Sequence, residues 1–198
     1  MCVPKFILPC STFPTISWWR AYQRNIENVC VHTGISFSEW EAPNRYKIAS
    51  ASGPLLLSVP LSGGRRTKID LTDARIDFTH DWRRRHWRGI QSAYGKTPFF
   101  KHYEQELGAI IFGDFISLKD FNIAGIEFLC RSFKIKKPLL ANVVRDFENT
   151  IIHNPKAYII SKKYYQVFAE RIGFLPELSA LDLLLNEGPA GLQFLQSL

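Results

Sequence analysis

Residues 82–94 read Trp-Arg-Arg-Arg-His-Trp-Arg-Gly-Ile-Gln-Ser-Ala-Tyr and are the most informative stretch of the chain. On an α-helix, side chains four residues apart lie one above the other. Trp82, His86 and Ile90 therefore form one row of a helix, and the arginines fall on the other side. The stretch predicts an amphipathic helix that turns an imidazole toward the protein and guanidinium groups toward solvent.

The secondary-structure patterns before and after this predicted helix differ. Strand patterns lead the first eighty residues, and helical patterns dominate the rest. The predicted strands are Phe6 to Leu8, Asn28 to His32, Tyr46 to Ala49, Leu55 to Leu61, Arg75 to Phe78 and Ala157 to Ile160. The predicted helices contain Trp18 to Tyr22, Asp81 to Tyr94, Thr97 to Ile111, Ser117 to Phe133, Tyr164 to Arg171 and Ser179 to Asn186. This order predicts an α/β fold of mixed α+β character.

Local signals add details to this outline. Ser11 or Thr12 is the expected N-cap of the first helix, and Asp81 or Thr79 that of the helix over 82–94. Thr67 to Leu71 is a candidate hairpin partner for the strand at Leu55 to Leu61.

Length and composition limit the class of protein. The chain has 198 residues, of which 46% are hydrophobic, 14% aromatic and 22% charged. These values exclude a disordered chain and a coiled coil. We expect a single compact domain over 1–198. In the alternative organisation, residues 115–198 form a small helical annex to that domain.

The net charge of +7 favours an anionic partner. Nucleic acid, a nucleotide-activated small molecule and an acidic membrane surface all remain open, as does a soluble protein with surplus surface lysine. No segment is long and apolar enough to predict a membrane span or a signal peptide, so we expect a cytoplasmic protein.

The sequence predicts neither a metal nor a cofactor. Its histidines and its four cysteines do not occur at metal-ligand spacing, and we expect buried free thiols. It contains no dinucleotide-binding glycine pattern, no phosphate loop and no nucleophile elbow.

His86 has two interpretations. It is either a satisfied core residue or a general base kept neutral near pH 7. The second follows if Arg83, Arg85 and Arg88 lower its pKa by like-charge repulsion. The arginines themselves are either a solvated face or a pocket for phosphate, with Arg65, Arg66, Lys68 and Arg75 adding to the charge.

The remaining candidates also have structural alternatives. Asn44 and Arg45 lie at a strand entrance, where they would bind a ligand or satisfy backbone groups. Tyr94 is expected in the core with its hydroxyl bonded. Asp182 would form a reciprocal cap with Ser179, or project with Asn186 from one helix face into a cleft.

Five ordered elements make the chain resemble the WbqC-like protein family over nearly its full length. They are Leu8-Pro9-Cys10 to Pro14 with Ser17-Trp18-Trp19; Asn44 to Ile48; Leu57 to Leu61; Trp82, His86, Ala93-Tyr94 and Pro98-Phe99-Phe100; and Ser179, Asp182-Leu183-Leu184, Asn186 and Gly188-Pro189. The chain departs from the family where an early His-Gln pair becomes Leu8 and Pro9. It departs again where an Asp-Asp-Val-Gln segment becomes His32 to Ile35. If the family's chemistry uses those residues, this chain is a divergent or inactive member.

The resemblance implies a link to surface polysaccharide, especially O-antigen, gene clusters. It suggests a transferase acting on a nucleotide-activated sugar, for instance by acylating an amino sugar. In that hypothesis His86 and Asp182 are catalytic, with His86 taking a proton and Asp182 helping Asn44 to orient the acceptor. The other substrate-binding candidates are Arg45, Arg84, Arg88, Tyr94 and Asn186. The alternatives are a non-catalytic module for nucleic acid or another polyanion, and a degenerate scaffold protein.

Overall fold

Two sheets and a group of helices make up the computed structural model, which describes residues 6–34, 43–63, 70–142, 151–152 and 162–197. The strands are β1 (Phe6–Pro9), β2 (Val29–His32), β3 (Arg45–Ser50), β4 (Gly53–Ser58), β5 (Leu139–Ala141) and β6 (Ile151–Ile152). The helices are α1 (Ile16–Arg24), α2 (Trp82–Tyr94), α3 (Phe100–Ile111), α4 (Leu118–Phe133), α5 (Ala169–Ile172), α6 (Ala180–Glu187) and α7 (Gly191–Gln196). The mixed fold class is confirmed, with strands early and helices later.

The larger sheet is parallel throughout, in the order β5-β2-β1-β6. Most residues of β1 and β2 are buried, which fits the apolar runs that parallel strands need when both faces are covered. Helix α1 connects β1 to β2. It begins after Thr15, whose hydroxyl accepts the Trp18 N–H, so the cap lies three residues beyond the expected Thr12.

The smaller sheet is an antiparallel hairpin of β3 and β4. Ser50 pairs with Gly53 across a two-residue loop, so β4 pairs backward in the chain with β3, whereas the sequence predicted a partner at Thr67 to Leu71. Residues 67–69 of that expected partner lie outside the described residues. The segment predicted as a strand at Arg75 to Phe78 contains two isolated antiparallel bridges. Ile76 lies opposite Leu61, and Arg75 lies opposite Ser117.

One hydrophobic cluster contains residues of α1, both sheets and α2 to α4, and it continues into α6 and α7. Trp18, Trp19 and Tyr22 of α1 pack against one another in it, with ring centroids 4.9 to 5.7 Å apart. The helix predicted over Tyr164 to Arg171 is shorter than expected, because only α5 is helical there. The predicted strand at Ala157 to Ile160 lies outside the described residues, and the domain boundaries stay predictions.

Helix α6 ends at a glycine that no other residue could replace without strain. Gly188 has φ +61° and ψ −146°, a combination confined almost entirely to glycine. A Cβ atom there would overlap the ring of Phe99. The resulting turn leads the chain into α7, and Phe99 N–H donates to Leu185 O at 3.4 Å beside it.

We predict that Gly188→Ala lowers the free energy of unfolding more than Gly173→Ala does. Gly173 has a similar backbone, with φ +79° and ψ 174°, but nothing lies within 4 Å of a Cβ there. The control should lose about 1–3 kcal/mol from backbone strain alone. Gly188→Ala should lose about 1–3 kcal/mol more through overpacking against Phe99. Urea unfolding followed by circular dichroism measures both, and equal losses would contradict the steric contact.

Candidate functional site

The histidine of α2 is held inside the core. Asp81 caps the helix by accepting the Arg84 N–H at 3.3 Å, as predicted. His86 is 1% exposed, with Nδ1 3.0 Å from the Tyr46 hydroxyl and Nε2 3.2 Å from the Ser58 carbonyl oxygen. A carbonyl only accepts, so Nε2 carries the proton and Nδ1 accepts from Tyr46. Both nitrogens of the neutral ring are thereby engaged.

Burial lowers the pKa of His86 to about 4, and the Ser58 carbonyl acts in the opposite direction. Arg85 makes a smaller lowering contribution. The direction agrees with the sequence expectation, but the main cause is the loss of water and not the arginines. The guanidinium groups have little effect because most of them lie on the exposed side of α2.

Asp182 of α6 lies at the centre of a second set of buried hydrogen bonds. Its side chain is 0% exposed. Oδ1 accepts from the Tyr94 hydroxyl at 2.9 Å, and Oδ2 accepts from the Tyr164 hydroxyl at 2.6 Å and from Gln166 Nε2 at 3.0 Å. Burial raises the pKa of Asp182 to about 6, against the lowering effect of these three donors. No cation pairs with this carboxylate among the described residues.

The reciprocal cap expected between Ser179 and Asp182 does not form. The Ser179 hydroxyl accepts the Leu181 N–H at 3.2 Å, but the Asp182 carboxylate turns into the core toward Tyr94 and Tyr164. The Ser179 N–H donates instead to Lys47 O at 2.8 Å, and three buried donors satisfy the Asp182 carboxylate.

Tyr94 and Asn186 complete this arrangement. The Tyr94 hydroxyl also accepts the Ala49 N–H at 3.0 Å, so one oxygen links β3, α2 and α6. Asn186 Nδ2 donates to the Asp182 carbonyl oxygen at 2.7 Å, one turn earlier in the same helix. Tyr94 is a core residue with its hydroxyl bonded, as the sequence suggested.

Asn44 closes the open end of the hairpin. Its Nδ2 donates to Val59 O at 2.7 Å, and its own carbonyl oxygen accepts the Val59 N–H at 2.9 Å. Arg45 follows it on β3 and is exposed. Because side chains alternate along a strand, Arg45 points to the side of the hairpin opposite Tyr46 and its partner His86.

The structure therefore does not bring the predicted residues together in one open cleft. His86 and Asp182 are buried and engaged with protein groups. Arg84 is exposed and paired with Asp81 at 3.1 Å, and Arg88 is exposed on the same outer side of α2. Arg45 lies on a different surface. The catalytic and substrate-binding roles of these residues stay predictions.

A different set of residues lies where the parallel strands end. We call it the carboxyl edge, and its residues are Cys10, Ser11, Thr12, His32, Thr33, Gly34 and Asn142. The register aligns Pro9 with His32 and His32 with Ala141, so β1, β2 and β5 end at one level. Ser11 and His32 are half-buried, and no hydrogen bond joins the Ser11 hydroxyl to another described residue.

The loop that follows β1 is held firmly. Thr12 N–H donates to Pro43 O at 2.9 Å, and the Thr12 hydroxyl donates to Asn122 Oδ1 at 2.5 Å. Asn122, fully buried on α4, returns its Nδ2 to Pro43 O at 3.0 Å and to Cys10 O at 3.3 Å. This closed network fixes the backbone on both sides of Ser11.

The β2 side of the carboxyl edge is equally constrained. Thr33 N–H donates to Ala141 O at 2.9 Å, and Gly34 N–H donates to His32 Nδ1 at 3.1 Å. A Cβ atom at position 34 would overlap the backbone oxygen of Asn142, so glycine permits this close approach. His32 Nδ1 is the acceptor in this hydrogen bond.

Sequence reasoning missed the carboxyl edge because its residues belong to strands whose neighbours no local pattern reveals. One signal was present. Both departures from the family motifs, Leu8-Pro9 and the segment that begins at His32, fall at the ends of β1 and β2, which pair directly.

The described residues support neither a metal site nor a reactive thiol at Cys10 or Cys130. No group of three or more His, Cys, Asp or Glu residues there could hold a metal ion. Burial raises the pKa of Cys10 and Cys130 to about 12, so these thiols are not nucleophiles at neutral pH. No helix among the described residues is long and apolar enough to cross a bilayer.

We predict opposite pH dependences of stability for His86→Gln and Asp182→Asn. The folded protein binds a proton at Asp182 up to about pH 6, whereas the unfolded group titrates near 3.8. The Asp182 contribution therefore falls as pH rises from about 4 to 6. The pKa of His86 drops from 6.5 to about 4, so its contribution rises over nearly the same range.

Each shift of roughly two pKa units corresponds to about 3 kcal/mol, and in the parent protein the two contributions oppose each other. Relative to the parent, Asp182→Asn should gain stability with rising pH between 4 and 6.5, and His86→Gln should lose it. Denaturant unfolding at a series of pH values gives these differences. Curves parallel to the parent for both variants would show that neither group titrates as described.

Comparison with known protein families places most of the chain in one of them. A sequence profile of the WbqC-like protein family matches residues 12–151. No curated protein and no solved structure matches the chain. Since the matched range exceeds half of the 198 residues, the predicted resemblance is confirmed over residues 12–151, and the chain belongs to the WbqC-like protein family.

Proposed function

We propose that this protein binds a nucleotide-activated sugar at the carboxyl edge and acts on it as a transferase in surface polysaccharide assembly. The observation that carries the proposal is the strand order β5-β2-β1-β6 of a parallel sheet. From β1 the strands are added on one side as β2 and β5, and β6 is then added on the other side. The order reverses between β1 and β6.

Ligands of open parallel sheets bind in the crevice outside the carboxyl ends of the strands, at the point where the order reverses. In this protein that point lies at the end of β1, where Ser11 follows Cys10. The half-buried Ser11 hydroxyl has no partner among the described residues. The rigid loop around it provides the fixed geometry that a binding site requires.

The charge distribution also supports an anionic ligand. None of the carboxyl-edge residues is acidic, and the protein carries a net charge of +7, so a phosphate group meets no direct repulsion from these side chains. The link to polysaccharide assembly comes from the resemblance to the family. In this proposal His86 and Asp182 hold α2 and α6 in place behind the site.

A second candidate is the polyanion-binding module. Arg84, Arg85 and Arg88 are all exposed on α2, and such a face would bind phosphates with strong salt dependence and little sequence preference. The two candidates use different surfaces, so variants distinguish them.

We predict that Ser11→Asp weakens the binding of a nucleotide-activated sugar about tenfold or more, because a carboxylate at this position repels the phosphates. The matched control is Ser11→Asn, which has nearly the same size without the charge and should change the dissociation constant less than threefold. Arg84→Ala/Arg88→Ala should leave it unchanged within about twofold. Isothermal titration calorimetry against a panel of nucleotide-activated sugars, chosen after a thermal-shift screen, measures each constant.

The pattern of losses decides between the candidates. Loss of binding in the double arginine variant with full binding in Ser11→Asp would favour the polyanion module, especially if single-stranded nucleic acid binds better than any sugar nucleotide. No binding of any nucleotide-activated sugar would remove the proposal and leave the scaffold hypothesis. Circular dichroism and melting curves without ligand confirm that the variants are folded.

A further inference from the structure

An exposed apolar surface lies on the molecule beside the start of α2. We call it the Phe78 surface, and its residues are Phe78, Arg83, Phe112, Asp114 and Ile116. Three large hydrophobic side chains are exposed there: Phe78 at 41%, Phe112 at 42% and Ile116 at 67%. Single exposed apolar residues are ordinary, but a group that shares one surface indicates an interaction.

Arg83 joins these side chains into one surface. Its guanidinium carbon lies 5.0 Å from the centre of the Phe78 ring, and Nη1 donates to the Phe112 carbonyl oxygen at 3.3 Å. A cleft of about 230 Å³ is lined by Phe78, Arg83, Asp114 and Ile116. The Phe78 surface thus combines a concave part with a projecting isoleucine.

The projecting isoleucine is rigidly placed. The Ile116 carbonyl oxygen accepts the Ile76 N–H at 2.9 Å, and the next residue, Ser117, bridges Arg75. Leu118 N–H donates to Ala74 O at 3.0 Å. The backbone under Ile116 is therefore ordered before any partner arrives, which reduces the entropy cost of association.

The Phe78 surface carries one positive and one negative side chain, so it can pair with the same surface of a second copy. Arg83 Nη1 and Asp114 Oδ1 lie 3.6 Å apart, and the Asp114 side chain is fully exposed. In a two-fold dimer, each contact between two different residues occurs twice with the roles exchanged. A second copy can place its Asp114 against Arg83 and its Ile116 in the cleft, and it receives the same two contacts in return.

We propose that the Phe78 surface is a two-fold interface through which two copies of this chain associate. In this proposal the contact includes the cleft and the exposed residues of 78–81 and 112–116, and a stable interface of this kind buries about 800 Å² on each partner. Aromatic side chains and an arginine at its centre match the composition of binding hot spots. This inference is independent of the proposed function, since it concerns another surface.

The first test is the mass of the protein in solution. Sedimentation equilibrium at protein concentrations from about 1 to 100 µM should give a dimer whose dissociation constant falls in this range. Ile116→Asp should raise the constant at least tenfold. The matched control is Leu139→Asp, which alters an equally exposed side chain, 70% exposed, on β5, and should leave it unchanged. A monomer at every concentration, or equal effects of the two variants, would overturn the proposal.

A charge exchange tests the two-fold geometry. Asp114→Arg alone and Arg83→Asp alone should each be monomeric, because each places like charges together at both contacts. An equimolar mixture of the two variants should associate again, since opposite charges then meet at both contacts. Both substitutions lie at solvent-accessible side chains, and circular dichroism checks their folding. Failure of the mixture to associate, with both variants folded, would exclude this arrangement.

Discussion

The buried carboxylate of Asp182 is the constraint on which the arrangement of α2, α6 and the C-terminal segment depends. A carboxylate without water or a cation is costly unless donors surround it. The donors here come from Tyr94 on α2 and from Tyr164 and Gln166. Gln166 then binds both backbone groups of Leu175, at 2.9 Å each. One charge thereby fixes elements that are far apart in the chain.

His86 and Asp182 solve the same physical problem in opposite ways. The imidazole is neutral in the core because burial lowers its pKa, and its two nitrogens are satisfied by β3 and β4. The carboxyl group gathers three donors. Leaving any member of such a network without its partner costs about 1–3 kcal/mol. His86, Tyr94 and Asp182 belong to the motifs that resemble the family, and their hydrogen bonds join separate parts of the fold.

Local patterns predicted the elements whose signals are contained in their own sequence. Helix α2 has an apolar row at a spacing of four and the Asp81 cap, and both are present. The partner of β4 was not predictable in this way, because strand pairing depends on which other segment is nearby. The Asp182 cap failed for the same reason, since buried tyrosines from elsewhere compete for the carboxylate. The carboxyl edge depends on strand order, which no local pattern contains.

Both departures from the family motifs lie at the carboxyl edge, where Pro9 of β1 is paired with His32 of β2. Pro9 has no N–H to offer at the end of β1, and its carbonyl oxygen accepts the Trp18 indole N–H at 2.8 Å. Its partner on the neighbouring strand is His32, about 4.8 Å away across the sheet. The resemblance implies acidic residues where this chain has His32 and Thr33, and so less negative charge at this edge than the family motif carries. In the proposed function, the lack of carboxylates among the carboxyl-edge residues favours a phosphate over a cation as the ligand.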